Sequence, residues 1–162
     1  MSGLSLPVDA VKLLLDEVRL HGARTEESGA FLLSHEQEPD QIAFVALPSD
    51  SGARRRANLF EVSAPALAIL FEWAAGEELV IRAQVHSHKR GAFLSWTDLE
   101  HGFNVEGFIT CVVPRYAHPP EDPYAWGWWE FRGGDWCRRE APAVAVGAAE
   151  RVTFDAEGTY GS

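Results

Sequence analysis

The stretch LVIRAQVHSHKRGAFLSWTD, residues 79–98, decides how the rest of the chain is read. Leu79 to Val85 is a short apolar run of strand length, and His86 and His88 stand at its end, one residue apart. Side chains alternate along a strand, so both imidazoles project from one face. Asp98 follows ten residues after His88. Two His and one carboxylate leave a fourth tetrahedral position open, which is the donor pattern of a catalytic zinc rather than a structural one. The same stretch carries a second meaning. Ser95-x-x-Asp98 ahead of a short helix is a capping box, in which both side chains satisfy free backbone N–H groups. Spacing alone does not separate capping from ligation, and one residue can do both.

Working outward, the chain organises around this strand. Val8, Val11, Leu14, Leu15 and Val18 follow a helical spacing from Pro7 to about His21, where Gly22 stops it. AFLL (30–33) and IAFVAL (42–47) flank a polar turn and read as a hairpin. Residues 48–58 are polar and Arg-rich, which reads as a loop, and Leu59–Val62 as a short strand. Ser63 caps a second helix over 64–76, with Pro65 in its first turn. Strand 79–86 follows, then a loop, a short helix from Ser95, a strand at 107–113, and a hairpin around Gly133-Gly134. Trp126 and Trp128 share one strand face and Trp129 takes the other. The expectation is one mixed α/β domain over residues 1–140, with a central mixed sheet flanked by helices. Residues 141–162 read as an Ala-, Val- and Gly-rich C-terminal extension, either with one extra strand at 151–154 or as a disordered tail.

Composition bounds the function. The chain has 162 residues, enough for one domain with a real core. Its 14 Lys and Arg against 24 Asp and Glu give a net charge of −10, which speaks against a nucleic-acid partner. Arg54-Arg55-Arg56 and Arg138-Arg139 read as solvated loop or strand-end clusters. Two Cys without disulfide spacing, and a first segment with neither a basic leader nor an apolar span, lead to the expectation of a cytoplasmic protein away from membranes. No HExxH is present, nor the H-x-E and P-C-x-x-C pair of the zinc deaminases. Arg90-Gly91 occupies the place where a metallo-β-lactamase would carry Asp-His. His101 shares the helix of Asp98, where an exposed helix end is expected over a partner of the ligands, and His118 sits in a Pro-rich loop, where plain loop chemistry is expected over a place in a substrate groove.

A zinc hydrolase also needs a general base, and TEESGAFLL (25–33) places Glu26 and Glu27 just ahead of the first hairpin strand. The set Glu-x-x-Gly, His-x-His, a loop and Ser-x-x-Asp resembles the JAMM (MPN-plus, or JAB) zinc metalloproteases, over roughly residues 5–140. The loop from His88 to Ser95 is one residue shorter than that family's commonest form, and Lys89 stands where it often has Pro. The resemblance implies the α+β, cytidine-deaminase-like MPN/JAB fold. It matches Glu26 to the catalytic Glu, His86, His88 and Asp98 to the ligands of one Zn2+, and Ser95 to the oxyanion-stabilising Ser. Glu27 takes the first role if the strand register differs by one.

For a small bacterial stand-alone type, the resemblance implies an isopeptidase acting at the C-terminal tail of a ubiquitin-like protein. Activating- and conjugating-like enzymes would then be functional partners, as in anti-phage operons. Two alternatives accompany it. One is release of an amino acid or small adduct from a sulfur-carrier protein; the other is a non-catalytic binding scaffold of the same fold.

Overall fold

The computed structural model describes residues 3–161, apart from the side chains of Thr97, Glu100 and His101. In chain order the elements are β1 (Ser5–Pro7), α1 (Val8–Gly22), β2 (Gly29–His35), β3 (Ile42–Pro48), β4 (Ala53–Arg56) and β5 (Leu59–Val62). Then follow α2 (Ala64–Gly76), β6 (Leu79–Ser87), α3 (Trp96–His101), β7 (Ile109–Val113), β8 (Gly127–Arg132) and β9 (Asp135–Arg138). The chain closes with β10 (Ala143–Ala145), β11 (Glu150–Asp155) and β12 (Gly158–Gly161). Among the described residues, eight strands form one mixed sheet in the order β12-β11-β3-β2-β6-β7-β8-β9. The β11–β3 and β6–β7 pairs are parallel and the others antiparallel.

The unbroken apolar run of β2 follows from burial on both sides. Ala30 and Leu32 pack with the core under α1, and Phe31 and Leu33 with the core under α2. A strand sandwiched this way has no polar face to alternate with. Helix α1 turns Ala10, Val11, Leu14, Leu15 and Val18 inward. An isolated helix of this length is marginal in water. Burial worth roughly 1.5–3 kcal/mol per large aliphatic side chain is what holds it. Helix α2 is capped by Ser63, whose hydroxyl accepts the Ala66 N–H at 3.2 Å, and it buries Ala66, Leu70 and Ala74 at a four-residue spacing. Trp126 and Trp128 stack in the α1-side core at 6.1 Å, while Trp129 lies on the other side under Arg138.

Two regions differ from the sequence expectation. Within the expected loop 48–58, Ala53–Arg56 is a strand that pairs antiparallel with β5. Arg55 is not a solvated cation: its side chain is 5% exposed, beside the Glu17 and Asp50 carboxylates, the Ser28 hydroxyl and the Pro48 carbonyl. Residues 141–162 contribute three strands rather than one. β10 pairs with β1, and β11 joins the main sheet beside β3, with Val152 and Phe154 buried. Among the described residues no helix is long and apolar enough to cross a membrane.

Candidate active site

The central β2–β6 pair builds the site. Gly29 of β2 lies opposite His86 of β6, and His86 lies beside Val112 of the parallel strand β7. A Cβ at position 29 would overlap the Val85 carbonyl and crowd the Phe60 ring, so the close approach of the two backbones requires glycine. Ser87, between the two His, points the other way and ties β6 to the start of β2. The Ser28 N–H donates to Ser87 Oγ at 2.9 Å, and the Ser87 N–H donates to the Ser28 carbonyl at 2.8 Å. The His88 backbone is held from both sides, its N–H donating to Val113 O and its carbonyl accepting from Tyr116 N–H.

His86 and His88 are buried, and their rings turn the same edge toward α3. His86 Nε2 lies 3.0 Å from Asp98 Oδ1, and His88 Nε2 lies 3.2 Å from Asp98 Oδ2. The His88 ring is oriented by its other nitrogen, since Nδ1 is 3.2 Å from the Gly91 carbonyl. A carbonyl only accepts, so the Nδ1–H form is selected and Nε2 is left as the ligand atom. Three donor atoms, one from each of these side chains, lie within 4.8 Å of one another. Among the described residues, the buried His86 Nε2 has no hydrogen-bond partner, because its approach to Asp98 falls outside hydrogen-bond geometry. An orphaned imidazole nitrogen beside a second imidazole and a carboxylate suits a divalent zinc, and the residues present fit that ion. Burial would raise the Asp98 carboxyl, but His86, His88 and the Ser95 N–H hold it far below the usual carboxylate range. Burial works against charge on His88, yet Asp98 brings its net shift upward.

The capping box is formed as well. Asp98 N–H donates to Ser95 Oγ at 3.1 Å, and Ser95 N–H donates to Asp98 Oδ2 at 2.7 Å. Capping and convergence on the imidazoles therefore coexist in Asp98. With Ser95 Oγ used as an acceptor in the cap, its O–H is available to donate. An open cleft of about 600 Å3 begins here, lined by Ser95, His88, Glu27, Asn58, Phe93 and Trp96. Trp96 is 82% exposed at its mouth.

The acidic residue in this cleft is Glu27, not Glu26. Glu27 is buried, and that burial, reinforced by Asp98 and opposed by His88, pushes its carboxyl up to about 7. Glu26 turns back to helix α1, where Oε1 meets His21 Nδ1 at 2.9 Å and its N–H donates to the His21 carbonyl. The reason is strand alternation. Glu27 is two residues before Gly29 and shares its face, which is the face of the opposed His86; Glu26 falls on the other. The sequence offered both residues but no signal for Phe93, Trp96 or Asn58. His118 is exposed in its loop, and the His101 side chain lies outside the described residues.

Comparison with known proteins places this geometry in a fold. No protein-family model matches the chain, and no curated protein matches it. Solved structures do. A JAB1/MPN domain protein from Archaeoglobus fulgidus superposes with a TM-score of 0.54 at 18% identity, over 90% of this chain and 100% of that one. A protein from Desulfitobacterium hafniense gives 0.62 at 13% identity, over 89% of this chain and 92% of that one. A protein from Salinibacter ruber gives 0.50 at 24% identity, over 86% and 90%. The mixed sheet, its helices and the likeness to the Archaeoglobus domain show that the chain has the JAB1/MPN fold.

Proposed function

We propose that the chain is a zinc-dependent peptidase that cleaves amide bonds at the C-terminal tail of a ubiquitin-like protein. His86, His88 and Asp98 would hold one zinc ion, and Glu27 replaces Glu26 as the general base. Bound zinc supplies Lewis acidity, which lowers the pKa of a water and polarises a carbonyl. Glu27 takes the proton from the attacking water and passes it to the departing amine. The Ser95 O–H donates to the oxygen that gathers negative charge. The cleft beside Asn58 admits an extended tail, and Phe93 and Trp96 offer it apolar contact. Two cysteines without a disulfide, one of them buried, accord with a reducing cytoplasm. Activating- and conjugating-like enzymes are the expected functional partners.

The observation that carries this reading is the placement of a buried, near-neutral carboxyl in one cleft with His88 and Ser95. A catalytic base works best with a proton affinity near the working pH. The test is to load the protein with zinc, measure the metal, and offer it ubiquitin-like proteins extended at the C-terminus. About one zinc per chain and cleavage at the end of the tail are expected, with Glu27→Gln keeping the zinc and losing the cleavage. Cleavage confined to carrier–amino-acid adducts would move the substrate to sulfur carriers. Zinc binding with no turnover of either would overturn the enzymatic reading in favour of a binding scaffold.

A further inference from the structure

Behind the cleft, on the opposite side of β2, lies a cluster of charged side chains that the hydrolytic reading does not use. His21 Nε2 is 3.2 Å from Glu17 Oε2 and His21 Nδ1 is 2.9 Å from Glu26 Oε1. Glu17 Oε2 also accepts the Ser28 hydroxyl at 2.7 Å and faces Arg55 Nη2 at 3.6 Å. Arg55 reaches in from β4, donating from Nε to Ser28 Oγ at 3.0 Å and from Nη2 to the Pro48 carbonyl at 2.8 Å. The side chains of His21 and Arg55 are each 5% exposed, and that of Glu17 is 11% exposed.

The cluster grips both sides of Glu27. Glu26 precedes it and is bonded to His21; Ser28 follows it and is bonded to Glu17, Arg55 and Ser87. Arg55 also pins the β4–β5 hairpin, whose turn residues Ala57 and Asn58 line the cleft, and Tyr116 Oη holds the same turn by donating to Ala57 O. We propose that His21 is a positioning residue, a proton-operated clamp that through Glu17, Glu26 and Arg55 sets the place of Glu27 and of the hairpin wall. A ring with carboxylates on both nitrogens needs both N–H donors, which only the imidazolium has. Protonated, it faces Glu17 and Glu26 and joins the Arg55 guanidinium at Glu17, while Arg55 Nη1 also meets the exposed Asp50 Oδ1 at 3.4 Å. Deprotonation leaves a bare lone pair facing a carboxylate, and one arm of the clamp is released.

The charged groups facing His21 are Glu17 from its own helix, Glu26 from the following turn and Arg55 from β4, with the Tyr116 phenol beyond them. Glu17 raises the imidazole most; burial lowers it, Glu26 raises it further, and the net shift is upward. Only the effect on turnover rests on the hydrolase reading, so the clamp is tested without activity.

The full chain, labelled with 13C and 15N, is titrated by NMR. His21 should titrate above the ordinary 6.5, and the amides of Glu27, Ser28, Ala57 and Asn58 should shift with the His21 midpoint. Glu26→Gln keeps a hydrogen-bonding partner but loses a charge, and should lower that midpoint by about one pH unit. Glu26→Ala should also loosen the Glu27 and Ser28 amides below the midpoint, as the Gln variant should not. The wild-type titration stands alone if a variant does not fold. An ordinary His21 midpoint, or cleft amides that ignore it, would overturn the proposal. Zinc binding, measured separately, tests the hydrolase reading: its absence would sink that reading and leave the clamp standing.

Discussion

Glu26 and Glu27 are neighbours of one residue type, yet they live in different electrostatic regions. Glu27 stands in the cleft, where burial withholds water and pushes its carboxyl up to about 7. Glu26 stands on the α1 side, 2.9 Å from an imidazole that is itself held by Glu17. The difference teaches that the work open to a carboxylate is set by the face on which its strand presents it. One face suits proton transfer. The other suits holding a charge network in place.

The sharpest way to break this comparison is to neutralise each acid in turn. Glu27→Gln should lower kcat/KM by about 10²–10⁴, the usual worth of a general base, at unchanged zinc content. Glu26→Gln should cost less than about tenfold and act mainly by moving the pH profile, as expected of a residue that acts through another. Equal losses in steady-state assays would erase the distinction. Next in size is His88→Ala, which removes one of three donors. Its zinc affinity should fall beyond the roughly 10–100-fold typical of losing an outer-shell partner, with the circular dichroism of the fold retained. Unchanged zinc content would refute the placement of His88.

A smaller effect bears on the strand register. Gly29→Ala puts a Cβ against the Val85 carbonyl and the Phe60 ring, and overpacking of this kind costs about 1–3 kcal/mol. Urea unfolding measures it, and a neutral result would mean that the β2–β6 approach is looser than described. The smallest effect is the pH dependence of stability. His21 is raised above the ordinary 6.5, so its contribution is full below that value and is lost as pH rises through the folded-state value. Glu17 is lowered from the ordinary 4.5 despite its burial, because His21 and Ser28 bond to it. Its contribution is present above 4.5 and is lost on acidification through the folded-state value. The alkaline fall of the urea midpoint should be smaller and end at lower pH in Glu26→Gln than in wild type; coincident profiles would count against the α1-side network.

Much of the fold is legible in the amino-acid order. Helix α2 can be read from Ser63, Pro65 and Gly76, and β6 from an apolar run ending at two His, because these signals are local. Strand β4 is not legible in this way. Ala-Arg-Arg-Arg has no apolar alternation, and what makes it a strand is pairing with β5 and the burial of Arg55 against Glu17, which is distant in sequence. The short strands β10 and β12 are likewise products of the neighbours they pair with. One signal for the charged cluster is present: Glu17 and His21 are four residues apart on a helix, the spacing at which side chains meet.

By itself the sequence determined a mixed α/β domain with a central sheet flanked by helices, and a strand that ends in two imidazoles with a carboxylate ten residues on. Periodicity and short-range spacing encode those features directly. Only the tertiary structure decided which glutamate enters the cleft. That choice depends on a one-residue strand register, set by the pairing of Gly29 with His86 across a close backbone contact that no local pattern records.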